Sequence, residues 1–395
     1  MKVALIHMGF FYLGGGERTV LSQAIKLGER GIEADVYAPT LSTDCYPDMV
    51  SRVKLVELMR CLPKRLALRN VVGMLASSLA SGVLAKTFGG YDVVVAHGQP
   101  SYWLAYQIKR SLGTPYVAYL HQANRFLYPR GVDREVGWGT NMEMRAFDIL
   151  HKGNSLLRRI DQLSVINSDL ILTNSHWIRE QVFSCYGLDA EVCHPGVDAA
   201  LFKAVDRGGK ASDGDAYILS TNRHYPQKRL DLVIRCVREL AKRTPDVACV
   251  ITGGFTKYTR HLMELARRLG VEGRVIFTGA VPSDELARLY RGAHVYTYPS
   301  PEEDFGLGPI EAGASGVPSV VWDHAGPRET VVDGETGFRV KPYDFGLFVE
   351  RHRELLDNAA LRERMGRRAH EHILENFTWE RHAERLEAYL HEVAG

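Results

Sequence analysis

The sequence predicts two α/β domains, each built on a doubly wound parallel sheet. Its 395 residues, 45% of them hydrophobic, supply core for two or three domains at about 150 residues each. Short β-rich runs alternate with helical patterns, which is typical of βαβ units. Runs such as DVVVA at 92–96 are apolar on both faces, as strands covered by helices on both sides must be. Two large doubly wound domains fit these observations best.

The first half of the chain contains five β-rich runs. They are VALIHM at 3–8, ADVYAP at 34–39, YDVVVAH at 91–97, PYVAYLH at 115–121 and DLILTNS at 169–175. A helix from about Glu17 to Glu29 follows the first run. Leucines and isoleucines spaced by three and four predict a second, long helix from about Thr140 to Asn167, whose stripe packs in the core.

A polar, glycine-rich stretch then interrupts the pattern. KAVDRGGKASDGD at 203–215 has no periodicity, which indicates an interdomain linker. The rhythm restarts beyond it with strands AYILST, VACVITG, RVIFTG, HVYTYPS, PSVVW and TGFRV and helices at 228–243, 257–269, 283–291 and 309–315. We therefore expect one domain at 1–202 and a second at 203–377. The amphipathic tail FTWERHAERLEAYLHEV predicts a terminal helix, and we expect residues 378–395 to pack back onto the first domain.

Composition argues against several classes of protein. Lys plus Arg total 49 against 47 for Asp plus Glu, so no chain-wide charge favours nucleic acid. Six scattered cysteines without CxxC spacing fit neither a disulfide scaffold nor a zinc site. The start MKVALIHMGFF lacks a cleavable signal, and no apolar stretch approaches the length of a membrane span. We expect a cytoplasmic protein.

Two sequence features carry basic or small residues suited to phosphate. The first β-rich run leads into GGGER at 14–18, where glycines let the backbone approach a ligand and a helix start offers N–H groups. The G-x-G-x-x-G spacing of a dinucleotide fingerprint is absent, and a plain strand-to-helix turn explains the glycines equally well. In STNRHYPQKRLDLVI, Arg223 and Lys228 follow a strand's carboxyl end, where they could neutralise a diphosphate.

The most informative local motif is YPSPEEDFGLGPIEAGASGVPSVV. Glu303 and Glu311 flank a compact loop, Phe305 to Gly308, and Pro309 suits the first turn of a helix. The loop can offer backbone amides to an anion while the carboxylates accept hydrogen bonds from sugar hydroxyls. A plain turn demands no acid at both ends, so a binding site is favoured over two surface acids.

Six motifs occur in an order that resembles glycosyltransferase family 4, the large group of retaining enzymes with the GT-B fold. They are GGGER at 14–18, His121 in YLHQANRFL, TNS at 173–175, PGVD at 195–198, the pair Arg223 and Lys228, and the Glu303 to Glu311 element. The resemblance extends over nearly the whole chain. It implies two Rossmann-like domains facing each other across a cleft, the first for the acceptor and the second for a nucleotide-sugar donor.

The resemblance also assigns roles to the donor-binding residues. Gly15 and Gly16 would approach the donor diphosphate, while Arg223 and Lys228 neutralise it. Glu311 matches the position that binds the ribose, and main-chain contacts around Val281 would hold the base. Backbone contacts to the sugar and phosphates would come from Phe305, Gly306 and Leu307.

His121 and Glu303 match the family positions beside the transferred sugar, and we take them as the catalytic candidates. Asp304 is a departure, because the family usually has glycine there. The acceptor would meet variable loops of the first domain, of which Arg125 to Gly139 is the best candidate.

Two segments imitate other sites. Asp213, Gly214 and Asp215 resemble a metal-binding DxD, but Asp and Gly commonly make turns in linkers, so we assign no metal and no other cofactor. Four basic residues at 60–69 precede an apolar run; the segment could rest on an anionic membrane surface, although a solvated basic helix end explains it as well.

The resulting hypothesis is a retaining hexosyltransferase that uses GDP-mannose, because PEEDFGLGPIEA followed by HAGPRETV resembles the motif variant of mannosyltransferases. The acceptor would be a hydroxyl of a glycan, a lipid-linked sugar or a small molecule. The alternatives are a transferase of the same family that uses a UDP-sugar, and a noncatalytic nucleotide-sugar binding protein. An NAD-dependent oxidoreductase would need the missing fingerprint.

Overall fold

A computed structural model describes most of the chain. The described residues are 1–10, 13–39, 41, 45–59, 81–125, 127–135, 155–204 and 216–395. The basic segment at 60–69, the DxD-like Asp213 to Asp215, most of the expected linker, the first part of the helix predicted from Thr140 and part of the acceptor loop lie outside them.

The chain divides into two compact units. Unit 1 comprises Met1–Arg130, Gly137–Pro195 and Trp379–Gly395, and unit 2 comprises Gly131–Val136 and Gly196–Thr378. Residues 196–202, which we expected in the first domain, belong to unit 2, because Phe202 is fully buried there against Tyr290. The Val132 amide likewise donates to Glu302 at 3.2 Å.

Unit 1 contains a seven-stranded sheet in the order β3-β2-β1-β4-β5-β6-β7, with every pairing parallel. The strands are β1 (Lys2–His7), β2 (Glu33–Ala38), β3 (Leu55–Glu57), β4 (Val93–His97), β5 (Tyr116–Leu120), β6 (Leu170–Thr173) and β7 (Glu191–Val192). β1, β4 and β5 are almost entirely buried. They therefore form the centre of a sheet covered on both faces, as their apolar runs predict.

Helices cover this sheet. Those before unit 2 are α1 (Gly15–Glu29), α2 (Pro47–Val50), α3 (Ser81–Phe88), α4 (Ser101–Leu112), α6 (Ser155–Ile166) and α7 (His176–Tyr186), while α5 (Gly131–Glu135) is the short segment grouped with unit 2. The last helix, α15 (Trp379–Ala394), belongs to unit 1, where Leu386 and Leu390 are fully buried beside Val20 and Leu21 of α1.

Unit 2 contains a six-stranded parallel sheet in the order β10-β9-β8-β11-β12-β13. Its strands are β8 (Tyr217–Thr221), β9 (Ala248–Thr252), β10 (Val275–Gly279), β11 (Val295–Tyr298), β12 (Ser319–Trp322) and β13 (Gly337–Val340). Its further helices are α8 (Leu230–Leu240), α9 (Lys257–Arg268), α10 (Ser283–Gly292), α11 (Leu307–Ala314), α12 (Pro327–Thr330), α13 (Phe345–Asp357) and α14 (Ala359–Asn376).

Both sheets have the strand order of a doubly wound fold, which confirms the predicted class. Small differences have local causes. The helix expected from 228 begins at Leu230, because Pro226–Lys228 forms a 3₁₀ turn that ends at Arg229 with φ 52°. The helix expected at 309–315 begins two residues earlier, at Leu307.

No helix among the described residues is long and apolar enough to cross a membrane.

Candidate functional site

The topology of each sheet identifies where a ligand site is expected. In unit 2 the strand order reverses between β8 and β11, and in unit 1 it reverses between β1 and β4. Open α/β sheets bind ligands beyond the carboxyl ends of the strands at such a point. Arg223 and Lys228 follow β8, while Glu303 follows β11. Lys228 and Glu303 therefore meet at its switch point.

Lys228 and Glu303 form an ion pair across this point. The Lys228 ammonium donates to Oε2 of Glu303, which also accepts from the Ser300 hydroxyl at 3.0 Å. The side chains are only 22% and 13% exposed. Burial raises the pKa of the Glu303 carboxyl, but Lys228 and the hydrogen bonds outweigh that effect, so the pKa is lowered and Glu303 is an anion at neutral pH.

The loop after Glu303 is held by close backbone packing. Phe305 is buried and packs against Phe377, with ring centroids 5.9 Å apart. Gly306 has φ +88°, which favours glycine, and forms the N-cap of α11. Gly326 donates its amide to the Glu303 carbonyl at 2.9 Å, and a Cβ on Gly326 would lie within 3.0 Å of the Phe305 backbone. The segment before α12 thus clamps the loop.

The start of α11 has no side-chain cap. Its N-cap is glycine and supplies no side-chain hydrogen bond to the first turn. The first amides of a helix, together with its dipole, favour an anion. Leu307 opens this turn, so its amide belongs to the group that can meet a phosphate.

Glu311 is buried and held by a chain of hydroxyls. Its Oε2 accepts from the Tyr290 hydroxyl at 2.8 Å. The Tyr290 hydroxyl is 2.7 Å from Oγ1 of Thr221, which is 2.8 Å from the Tyr296 hydroxyl. Gly308 lies on this chain, since a Cβ there would come within 3.0 Å of the Tyr296 hydroxyl and Cζ. The network fixes one carboxylate oxygen and explains the second glycine of FGLG.

Arg223 lies on the loop after β8, and Val281 lies on the loop after β10. The Arg223 guanidinium carbon is 5.5 Å from the Tyr225 ring centroid, and its side chain is mostly exposed. Val281 lies between β10 and α10 and is half-buried. Between their loops, Phe255 is 56% exposed, with its ring 3.7 Å from the position of a Cβ on Gly279.

In unit 1, His121 directly follows β5 and is half-buried. Its carbonyl accepts from the Asn174 side chain at 3.1 Å, which gives the TNS motif a structural reason. Its Nε2 lies 3.1 Å from Nδ1 of His97, the last residue of β4. Burial lowers the pKa of His121 to about 3 and that of His7 to about 4, so these rings are neutral at physiological pH.

Gly15 and Gly16 open α1, whose N-cap Gly14 offers no side chain. Helix residue Thr19 donates its hydroxyl to the Gly15 carbonyl at 2.8 Å. A Cβ on Gly16 would lie 3.6 Å from Nε2 of His7. The helix start and the histidine therefore share the carboxyl edge of the unit 1 sheet.

Several residues of these sites were not singled out from sequence. They are His7, His97, Thr221, Tyr290, Tyr296 and Ser300. The two histidines carried a usable signal, because each lies at or next to the end of a β-rich run, as His121 does. The tyrosines carried none, since each reads as an ordinary core residue of a helix or strand.

Comparison with known proteins agrees with this architecture. Residues 13–201 match the model of Glycosyltransferase Family 4, and residues 203–372 match that of Glycosyl transferases group 1. A D-inositol 3-phosphate glycosyltransferase of Corynebacterium diphtheriae is 28% identical over 403 residues, covering 96% of this chain and 90% of the relative.

A GDP-mannose-dependent alpha-(1-6)-phosphatidylinositol monomannoside mannosyltransferase of Mycolicibacterium smegmatis is 31% identical over 272 residues, covering 65% of this chain and 67% of that protein. Among solved structures, the sucrose-phosphate synthase of Thermosynechococcus elongatus superposes with a TM-score of 0.78 at 19% identity, covering 99% of this chain and 98% of the other. The Anabaena protein HepE, solved with UDP and glucose, gives 0.74 at 18% identity, covering 99% and 100%.

The matches in both halves, the two doubly wound sheets and the carboxylate-flanked loop at a switch point agree, and this chain is a glycosyltransferase of family 4 with the GT-B fold.

Proposed function

We propose that the protein is a retaining hexosyltransferase that moves mannose from GDP-mannose to a hydroxyl group. The observation that supports it most directly is the arrangement at the unit 2 switch point. There Lys228, on the loop after β8, pairs with Glu303, on the loop after β11, and that second loop leads into the uncapped start of α11 and the buried Glu311 carboxylate. These groups offer cations and amides for a diphosphate and carboxylates for hydroxyls.

In this mechanism the protein stabilises the leaving diphosphate. Glycosyl transfer develops positive charge at the anomeric carbon and negative charge on the departing phosphate oxygen. Arg223, Lys228 and the first amides of α11 stabilise the phosphate, and Glu311 binds the ribose. Glu303 is already an anion and accepts a hydrogen bond from a sugar hydroxyl, while Lys228 keeps its ion pair with Oε2 of the same carboxylate.

Retention of configuration follows from front-face attack, in which the acceptor hydroxyl is assisted by the leaving phosphate. The family resemblance supports this course. No residue within the described ranges is assigned as a nucleophile. The proposed retention is tested by the anomeric configuration of the product, which NMR gives from the coupling at the anomeric carbon. An inverted product would exclude front-face attack.

We assign donor binding to unit 2 and acceptor binding to unit 1. Gly15, Gly16 and His121 are the residues of unit 1 that the resemblance links to the donor's diphosphate and sugar. Val281 is the residue of unit 2 linked to the base. The acceptor assignment depends on the loop at 125–139, of which residues 125 and 127–135 are described.

The choice of GDP-mannose has two supports. The segment PEEDFGLGPIEA with HAGPRETV resembles the mannosyltransferase variant, and the relative at 31% identity is named as GDP-mannose-dependent. A guanine site hydrogen-bonds groups that uracil lacks, so discrimination between the two bases is steep. Isothermal titration against GDP, UDP and ADP decides the base. UDP binding tenfold tighter than GDP, about 1.4 kcal/mol, would replace GDP-mannose by a UDP-sugar.

The acceptor is proposed as a hydroxyl of a glycan, a lipid-linked sugar or a small molecule. Two relatives carry inositol in their names, one with inositol 3-phosphate and one with a phosphatidylinositol mannoside. Inositol phosphates therefore belong in the first acceptor panel, assayed by mass spectrometry with GDP-mannose. Donor binding without transfer or hydrolysis across the panel would favour a noncatalytic binding protein.

Side-chain replacement tests the site itself. Lys228→Ala removes a largely buried cation facing the diphosphate, a loss of about 2–5 kcal/mol for a desolvated charge pair. Arg223→Ala removes a more exposed cation and should weaken donor binding less. Glu311→Gln keeps the shape and removes the charge, and should weaken donor binding. Exposed Arg238 on α8 provides the matched control, and Arg238→Ala should bind donor as the parent does. Unchanged affinity in all three site variants would refute the assignment.

A further inference from the structure

Three histidines end adjacent strands of the unit 1 sheet. His7 ends β1, His97 ends β4 and His121 follows β5. His97 and His121 stack, with ring centroids 5.2 Å apart and planes inclined by 30°. Nδ1 of His97 is 3.1 Å from Nε2 of His121. At this distance the two nitrogens share one proton in a hydrogen bond.

The position of that proton follows from the other nitrogens. His97 is fully buried, and its Nε2 has no hydrogen-bond partner in the part of the chain that the structure describes. Neighbouring polar groups are committed elsewhere, since the Tyr119 hydroxyl donates to the Cys193 carbonyl at 2.6 Å and Nδ1 of His7 bonds Gly9. Burial lowers the pKa of His97, so the ring is neutral and carries one proton.

If that proton were on Nε2, a buried N–H would have no acceptor. Orphaned buried N–H groups are rarer than orphaned acceptors. With the proton on Nδ1, His97 donates to Nε2 of His121, and only an acceptor lone pair on His97 is left unmet. This tautomer of His97 is therefore the favoured one.

We propose that His97 is a positioning residue that fixes neutral His121 with its proton on Nδ1, so that His121 presents an N–H donor to the ligand. The inference rests on the proposed function insofar as His121 contacts the donor sugar. Within the described residues, no hydrogen bond is formed by Nδ1 of His121, and the side chain is half-buried. It is thus available to a sugar or phosphate oxygen.

The assignment gives His121 a defined chemical part. An imidazole N–H stabilises an oxygen that gains negative charge, and it cannot accept the proton of the acceptor hydroxyl at the same nitrogen. Its Nε2 is already occupied by the His97 proton. His121 therefore acts as a hydrogen-bond donor and not as a general base, which leaves the acceptor's proton to the leaving phosphate.

The tautomer can be measured without any assay of transfer. In the full-length protein labelled with ¹⁵N-histidine, protonated and unprotonated ring nitrogens resonate in separate ranges, and His121→Asn identifies the His121 signals by their loss. We expect Nδ1 of His121 protonated and Nε2 unprotonated. The reverse pattern at neutral pH overturns the proposal, whatever the protein's substrate.

Two isosteric variants test the positioning role. His97→Asn places an amide nitrogen near the position of Nδ1 and can still donate to His121, whereas His97→Gln places it near Nε2 and cannot. With a confirmed donor, we expect His97→Gln to lower kcat about tenfold with little change in donor KM, the loss of one hydrogen bond's free energy. His97→Asn should stay within about threefold of the parent.

Equal losses in the two variants would mean that His97 only packs, and would refute the proposal. If no donor or acceptor supports transfer, the proposed function fails while the ¹⁵N pattern still decides the tautomer. The two failures are therefore distinguishable.

Discussion

Tyr290→Phe tests whether the hydroxyl chain beneath Glu311 stabilises the donor site. The substitution removes only an oxygen, but that oxygen donates to Oε2 of the buried Glu311 at 2.8 Å and contacts Oγ1 of Thr221 at 2.7 Å. Burial raises the pKa of Tyr290, so it is a neutral donor at every working pH. A hydrogen bond to a charged group contributes about 1.5–3 kcal/mol, against about 0.5–1.5 kcal/mol for a neutral one.

Tyr296→Phe is the matched control. Its hydroxyl is equally buried and lies 2.8 Å from Oγ1 of Thr221, a neutral partner. We expect Tyr290→Phe to lower the melting temperature by on the order of 5 °C, about 2 kcal/mol in a unit of this size. Tyr296→Phe should lower it by about half as much, the smaller value of a neutral bond.

Two measurements decide the outcome. Scanning calorimetry without ligand gives the stability order, and titration with the nucleoside diphosphate gives the affinity, which should fall more for Tyr290→Phe. In a Glu311→Gln background the Tyr290→Phe loss should shrink, because the charged acceptor is gone. Equal losses for the two tyrosines, unchanged by Glu311→Gln, would refute the reasoning.

Three further predictions concern the loop, its ion pair and metal. Lys228→Ala should lower the free energy of unfolding above about pH 4.5, the ordinary pKa of the Glu303 carboxyl. The difference from the parent should vanish as the pH falls through the lowered pKa of Glu303, because Lys228 stabilises only the ionised carboxyl. A difference that stays constant from about pH 7 to about pH 3 would contradict this. Gly326→Ala should destabilise the protein by about 1–3 kcal/mol, because the added Cβ would meet the backbone of Phe305. Gly273→Ala is the control and should not destabilise it, because the space around Gly273 is open. Equal melting temperatures for the two variants would count against the clamp. Turnover should persist in EDTA, because cations and amides meet the diphosphate without a metal; loss of activity that magnesium or manganese restores would overturn that expectation.

Much of the fold was predictable because its signal is local. No single strand reveals the strand order of a sheet. A chain in which apolar strands alternate with helices, however, can adopt only a few sheet topologies. The loop at 303–311 was also predictable, since two acids, glycines and a proline within nine positions define a turn, a helix start and a charge pattern together.

What was not predictable depends on pairs distant in sequence. Tyr290 meets Glu311 across 21 positions, and His97 meets His121 across 24. In the sequence pattern, Tyr290 resembles an ordinary core residue on a helix face. Only the packing of α10 against α11 brings its hydroxyl to a carboxylate. The Lys228–Glu303 pair is similar, because both residues were expected at the site but their mutual contact depends on the adjacency of β8 and β11.

The position of α15 in unit 1 has a consequence for biogenesis. Trp379, Leu386 and Leu390 are buried in unit 1, and His382 of the same helix is 3.0 Å from the Gln23 side chain of α1. Each fully buried leucine contributes about 1.5–3 kcal/mol. The first unit can therefore complete its core only after α15, which follows all of unit 2 in the chain, has been synthesised. Unit 2, contiguous from Gly196 to Thr378 apart from one short segment, can finish first, the reverse of the usual order in which domains fold during synthesis.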